Sequence, residues 1–368
     1  MFQAPYRAAV IGRTGRGDYG HNLDLAVLGQ PKLKVVAVAD ENEAGRAKAL
    51  ARLGITQGYA DHRKMLDEAK PQFVVVAPRW IDCHRQMILD CVERGIHVLT
   101  EKPLARDLEE CDAIIAAAER AHVKIAVAFQ TRYGPRYERI KELIAQGTIG
   151  EVLEIRGRGK EDRRGGGEDL LVLGPHLVDL FRGFLGDAAW CFARVSDRGR
   201  PADRSSIRQG AEGLGPLAGD RIDAMYGFAK SPAIAHFETA RPSAGAGKRF
   251  GLQIHGAKGV IHFETGWLPP ARLLLDETWH GSAGGSKWTE ISSAGLGKPE
   301  PLSRETSLDV ANKAIVADLI EAVENDRPPL CSVYDGRAAL EMLLACHASH
   351  RAGGMVALPL ADRKHPLA

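Results

Sequence analysis

Five short apolar runs punctuate the first 130 residues: "RAAVIG", "LKVVAVAD", "QFVVVA", "IHVLT" and "KIAVAF". None alternates strictly between polar and apolar residues, so each reads as a strand buried on both faces. Between them lie helical patterns, "ENEAGRAKALARLG", "DCHRQMILDCVERG" and "LEECDAIIAAAERAH". Gly54 and Gly95 stand where a helix end favours a left-handed residue. Strand and helix in regular succession leave few topologies open. The pattern predicts a parallel, doubly wound (Rossmann) sheet joined by right-handed crossovers.

Past "YGPRYERIKELIAQGTIG" the texture changes. "EVLEIRGRG" reads as a strand and "EDLLVLGPHLVDLFRGFLG" as a helix. Six further strand-like runs follow, from "AAWCFARV" to "ARLLLDE", with no helix-length pattern among them. That succession predicts a large, mainly antiparallel open sheet. Gly-rich stretches at 210–219, 243–247 and 281–286 are expected as surface loops, and helices are expected over 308–325 and 335–351. A chain of 368 residues exceeds a comfortable single core. We divide it into an α/β dinucleotide-type domain over 1–127 and an α+β domain over 128–368.

Charge narrows the partners. With 49 basic and 47 acidic residues the formal net charge is +2, which gives no reason to expect nucleic acid or an anionic membrane. The six cysteines are scattered without a C-x-x-C pair and read as reduced, buried thiols, and no metal site is expected. The N-terminus enters a strand at once, and no apolar run is long enough to span a bilayer, so the expected location is cytoplasmic.

After the first strand comes "AVIGRTGRGDYGHNLDLA". Gly15, Gly17 and Gly20 satisfy G-x-G-x-x-G, with Gly12 at the strand end. If a helix follows, backbone amides and the helix N-terminus would face a pyrophosphate. The second strand ends at Asp40, where a carboxylate can hold a ribose 2′-hydroxyl and repel a 2′-phosphate. NAD is therefore expected in preference to NADP. A plain surface turn is the alternative.

The fifth strand ends abruptly in Glu101-Lys102-Pro103. Pro103 continues neither strand nor helix, so Lys102 stands at a strand tip, on the edge where open parallel sheets bind ligands. "APRWIDCH", containing Pro78 and His84, lies at the same edge. Farther on, "RRGGGEDLLVLGPHLVDLF" carries three glycines able to approach a ligand closely, then His176 with Asp179 three residues later on one helical face. Asp169 shares that face if the helix continues through Gly174-Pro175. A helix cap and a satisfied core histidine are the plainer reading. Trp80, Trp267, Trp279 and Trp288 could stack on a sugar ring, though core positions suit each of them. The basic stretch from Arg156 to Arg164 could receive an anion, though a solvated strand and loop accounts for it too.

Together these residues resemble the Gfo/Idh/MocA (glucose–fructose oxidoreductase / inositol dehydrogenase) family. The resemblance spans nearly the whole chain, from the glycine loop and "HVLTEKPLA" to "PPLCSVYDGRAALEMLLACHASH". It implies an NAD-dependent oxidoreductase acting on a hydroxyl of a sugar, cyclitol or related polyol. Lys102 would stabilise charge on the hydroxyl oxygen, and His176 would be the general base, supported by Asp179 and Asp169. Gly12, Gly15, Gly17, Gly20, Asp40, Pro78, His84, Glu101, Lys102 and Gln130 would contact the cofactor. Val172 departs from the pattern, because many members carry an Asp four residues before that histidine. This keeps open an NAD-dependent glycosidase with transient C3 oxidation and no net redox. A non-catalytic NAD-binding protein is a third possibility. A homodimer or homotetramer through the C-terminal sheet is expected.

Overall fold

Each of the five apolar runs is a strand in the computed structural model, which describes residues 5–241, 249–281, 285, 287–303 and 307–368. β1 (Tyr6–Ile11), β2 (Leu33–Ala39), β3 (Gly58–Tyr59), β4 (Phe73–Val76), β5 (His97–Thr100) and β6 (Ile125–Val127) form a parallel sheet in the order β3-β2-β1-β4-β5-β6. Strand order reverses between β1 and β4, the switch point at which such sheets bind ligands. The helices α1 (Glu43–Leu53), α2 (His62–Ala69), α3 (His84–Val92) and α4 (Leu108–Ala121) supply the crossovers. Local signals set their ends. The Asn42 side chain accepts from the Gly45 amide at the start of α1, Gly54 closes it in the left-handed region, and Asp107 caps α4.

One expectation fails here. The glycine loop opens no α-helix. A single 3-10 turn, Leu23–Val27, follows it, and Asn22 before that turn is left-handed. Gly20 and Asn22 both take left-handed backbone, at φ 55° and 56°, which interrupts any helix entering from the loop. The argument that a helix dipole faces a pyrophosphate therefore does not hold.

The second sheet has 11 strands and is mostly antiparallel. After α5 (Pro135–Ala145) come β7 (Val152–Arg158), α6 (Gly167–Val172) and α7 (Gly174–Leu185), then β8 (Ala188–Asp197) and β9 (Arg200–Pro201). β10 (Arg208–Gln209) and β11 (Pro216–Leu217) form a separate hairpin, with β11 inside the 210–219 stretch expected as a surface loop and β10 just before it. β12 (Arg221–Phe228), β13 (Ile234–Ala240), β14 (Gly251–Gly256), β15 (Gly259–Glu264), β16 (Ala271–Leu274), β17 (Thr289–Ser292) and β18 (Gly295–Leu296) extend the sheet. The stretch 243–247 and most of 281–286 lie outside the described residues. Within this sheet, among the described residues, only β7 and β13 pair in parallel. One sheet face packs on helices: a Cβ at Gly157 would meet the Phe181 ring of α7 at 2.5 Å.

α8 (Ser307–Glu324), α9 (Val333–Ala352) and β19 (Val356–Ala357) end the chain. By contact the described residues form two compact units. The first comprises residues up to Gln130 with Ala211–Leu214 and Leu308–Arg337, and the second comprises the remainder. Leu308–Arg337 is held by β6, where the Val127 amide donates to the Cys331 carbonyl at 2.9 Å. All six cysteines are buried. Among the described residues, no helix is long and apolar enough to cross a membrane.

Candidate active site

The carboxyl ends of β1, β2 and β3 and the start of α3 border a cavity of about 300 Å³, lined by Gly12, Arg13, Asp40, Glu41, Asp82 and Gln86 among others. Asp40 is buried at the tip of β2. Its carboxylate accepts from the Thr14 hydroxyl at 2.6 Å and from the amides of Thr14 and Asn42 at 3.2 and 3.0 Å. Asp40 therefore ties β2 to the glycine loop. The buried Tyr19 ring lies against Gly12, where a Cβ would sit 2.2 Å from it. Burial and neighbouring Asp40 push the Tyr19 phenol well above its usual range.

The glycines serve the loop itself. Gly17 has φ +90°, and its Cβ would collide with the Trp80 amide nitrogen at 2.4 Å. At Gly20, φ is +55° and a Cβ would lie 2.7 Å from the Ala77 carbonyl and from the Glu101 carboxylate. Both positions thus admit only glycine, because chain presses on chain. Gly15 has no neighbour within 4 Å of its Cβ position.

At the tip of β5 the Lys102–Pro103 bond is cis, and Glu101 and Lys102 are both buried. Glu101 pairs with the His21 ring at 2.8 Å and accepts the Lys102 amide at 3.1 Å. Burial alone would raise the Glu101 carboxyl, but the His21 hydrogen bond and the charges of His21 and Lys102 hold it at about 2. His84 is also buried, its two ring nitrogens facing the carbonyls of Pro103 at 2.9 Å and Pro78 at 2.7 Å. It clamps the Glu-Lys-Pro turn to the segment after β4, so its ring is committed to protein. Gln130 donates to Asn312 at 3.3 Å, and Asn312 donates to the His21 carbonyl at 2.9 Å. Sequence reasoning missed His21 and Asn312. The signal for Asn312 was an amide among the apolar residues Ala311, Ile315 and Val316 of α8.

The second unit holds the other predicted residues. α6 and α7 are separate helices meeting at Leu173, so the unbroken face required to join Asp169 to His176 does not form. The His176 ring stands edge-on to Phe250, with centroids 6.2 Å apart. Asp179, one turn along α7, pairs with Arg132 at 3.2 Å. Asp169 is buried and accepts from the Thr239 hydroxyl at 2.5 Å and the Glu161 amide at 3.2 Å. Burial pushes its carboxyl up. The three glycines approach the chain's own backbone at Ala240, Gly219–Asp220 and Ala218, contrary to the expected ligand approach. The basic stretch is matched by acids: Arg156 with Glu154, Arg158 with Glu161 and Glu238, and Arg164 with Asp162. Trp267 and Trp279 donate their indole N–H to the carbonyls of Tyr133 and Gly256, at 3.1 and 2.9 Å.

Comparison with known proteins agrees with this layout. Residues 6–129 match the family described as "Oxidoreductase family, NAD-binding Rossmann fold", and residues 137–262 match "GFO/IDH/MocA C-terminal domain". Levoglucosan dehydrogenase of Pseudarthrobacter phenanthrenivorans is 27% identical over 288 residues, covering 69% of this chain and 73% of that protein. Inositol 2-dehydrogenase of Azotobacter vinelandii is 26% identical over 339 residues, covering 90% of each. The solved levoglucosan dehydrogenase complex with NADH and levoglucosan superposes with a TM-score of 0.76 over 97% of this chain and 100% of that one. At 22% identity that likeness speaks for the fold.

Proposed function

Because the chain belongs to the Gfo/Idh/MocA family of oxidoreductases with an NAD-binding Rossmann domain, we propose that it is a dehydrogenase oxidising a hydroxyl of a sugar, cyclitol or related polyol. The observation that carries this reading is Lys102, buried in a Glu-Lys-cis-Pro turn at the carboxyl edge of a six-stranded sheet whose cavity at that edge ends on Asp40. The cavity suits the adenosine end of a dinucleotide: Asp40 and Glu41 offer acceptors to ribose hydroxyls, and Gly12 and Arg13 border it. NAD bound there supplies the hydride acceptor.

Lys102 donates a hydrogen bond to the reacting hydroxyl oxygen and stabilises the negative charge that develops on it. His176 takes the hydroxyl proton as general base. Asp179 and Asp169 act as positioning residues, Asp179 through Arg132 beside α7 and Asp169 through the Glu161 amide and Thr239. Residues 1–127 serve the cofactor, and 128–368 serve the substrate and assembly into a homo-oligomer. A cytoplasmic setting fits this metabolic role. The named relatives act on levoglucosan and inositol, which supports a polyhydroxylated ring as substrate.

The test incubates the protein with NAD and a panel of free sugars, cyclitols and aryl glycosides, following NADH and released aglycone in parallel. Stoichiometric NADH from a free sugar or cyclitol is the expected result. Aglycone release that needs NAD but accumulates no NADH would replace this reading with a redox-neutral glycosidase.

A further inference from the structure

Within the first unit, a line of hydrogen bonds runs from the tip of β5 through the glycine loop to α8. Asn312 is wholly buried, and its α8 neighbours Ala311, Ile315 and Val316 are apolar, so packing alone asks for no amide there. Its Nδ2 donates to the His21 carbonyl at 2.9 Å, and its oxygen accepts from Gln130 at 3.3 Å. Both halves of the amide are used, and the carbonyl can only accept, which fixes the orientation of Asn312. The His21 ring then meets Glu101 at 2.8 Å, and the His21 backbone amide donates to the same oxygen at 3.3 Å. Glu101 is buried and ionised, held at about 2, so Nδ1 of His21 carries the proton between them. The other Glu101 oxygen accepts the Lys102 amide at 3.1 Å.

We propose that His21 and Asn312 are positioning residues for Lys102: Asn312 fixes the backbone at His21, His21 fixes the Glu101 carboxylate, and Glu101 fixes the backbone from which the Lys102 side chain departs. The proposal rests on the role given to Lys102 above. A buried carboxylate stripped of a donor turns to other partners or takes up a proton, and either change loosens its hold on the Lys102 amide. The ammonium must meet an oxygen whose charge develops only in the transition state, so a misplacement of about 1 Å costs rate rather than cofactor binding. This also gives the glycine loop a task that needs no helix after it. The loop is pressed on the tip of β5, where a Cβ at Gly20 would lie 2.7 Å from the Glu101 carboxylate, and it delivers His21 there.

The test compares wild type with His21→Leu, His21→Asn, Asn312→Leu and Lys102→Met, and with Lys102→Met combined with each leucine variant, all checked by thermal melting. The His21 side chain is 42% exposed, so its replacement does not open the core and decides the question if Asn312→Leu fails to fold. With the sugar or cyclitol that wild type oxidises fastest, His21→Leu and Asn312→Leu should lower kcat by roughly 10–100-fold, with Kd for NAD within about threefold. His21→Asn restores an N–H near the position of Nδ1 and should keep most of kcat. In the Lys102→Met background neither leucine substitution should slow the residual rate further, because both act through the ammonium. Unchanged kcat in His21→Leu, a loss carried by NAD affinity instead, His21→Asn as slow as His21→Leu, or losses that multiply with Lys102→Met would each overturn the proposal. Lys102→Met with most of its kcat overturns the role of Lys102 itself, and this inference with it.

Discussion

Lys102 is the residue on which the proposed chemistry depends, and its burial dictates how to test it. Alanine would leave a void at a site 1% exposed, so Lys102→Met, which keeps the volume and removes the charge, belongs beside Lys102→Ala. We expect kcat to fall by roughly 10²–10³-fold in both, the scale of a lost oxyanion donor, with a much smaller change in NAD affinity. Steady-state kinetics with NAD titration checks this, and a variant keeping most of its kcat refutes the role. Asp169→Asn separates positioning from catalysis. The amide keeps a carbonyl acceptor for Thr239 and the Glu161 amide, so kcat should stay within about tenfold of wild type. His176→Ala should lose far more, as an enzyme without its base does. Equal losses in the two variants would make Asp169 part of the proton path after all. Such roles were only half legible in the sequence. Lys102 announced itself through an adjacent proline, a purely local signal. Whether a carboxylate seven residues before His176 could reach it depended on where α6 stops, and the break at Leu173 settles that the two sit on different helices.

Elements were legible where periodicity and caps agreed. Every apolar run is a strand, while the short β3, β9, β17, β18 and β19 carry too little pattern to be foreseen, and the two late helices, Ser307–Glu324 and Val333–Ala352, fall within two residues of the expected spans. The failure after β1 has a physical cause: left-handed backbone at Gly20 and Asn22 interrupts the helix that should follow. The glycines there and at 165–167 mark places where backbone meets backbone, and composition alone cannot distinguish that from approach to a ligand. α9 and the segment after it support a prediction at this scale. Burial, with repulsion from His365 and His350, holds His347 of α9 at about 3, and burial holds His365 at about 4, against 6.5 for a free imidazole. Between those values the unfolded chain binds more protons, so stability is complete above pH 6.5 and falls as the pH drops toward 4. By pH 5, His347 alone should cost about 2 kcal/mol. Glu101 acts in a separate window, because a carboxyl lowered from 4.5 to about 2 loses its contribution only below pH 4.5. Urea melts at pH 7.5, 6 and 5 should show this decline, and His347→Leu should flatten it relative to its own value at pH 7.5. A variant as steep as wild type would locate the titration elsewhere.

At the scale of the whole molecule, the 11-stranded sheet has one face packed on α7 and α9 and one face outward. Tyr226 of β12 donates its hydroxyl to the Met342 carbonyl of α9 at 2.9 Å, and the Ala193 amide of β8 donates to Ser349 at 2.8 Å. The outward face carries a row of side chains in register across the strands: Phe192, Met225, His236, Arg156, Gln253 and His262. Its apolar end is open to solvent, with Phe192 46% and Met225 36% exposed, and its polar end forms a shallow depression of about 670 Å³ rimmed by both signs of charge. A flat surface with aromatic and Met residues beside mixed charge is self-complementary under a two-fold axis, because each apolar end can meet its own copy while acids face bases. The sequence predicts two flanking helices beside a much larger sheet, enough to cover only one of its faces, but not which face that is. That follows only from where α7 and α9 pack. We therefore expect association through this face, burying about 800 Å² or more on each copy. Light scattering at micromolar concentration should give at least twice the 39.8 kDa chain mass. Met225→Glu together with Phe192→Glu should yield a folded monomer, since both side chains point away from the core and the change charges only the outer face. A wild-type monomer, or a double variant that still associates, would mean that this face is not where copies meet.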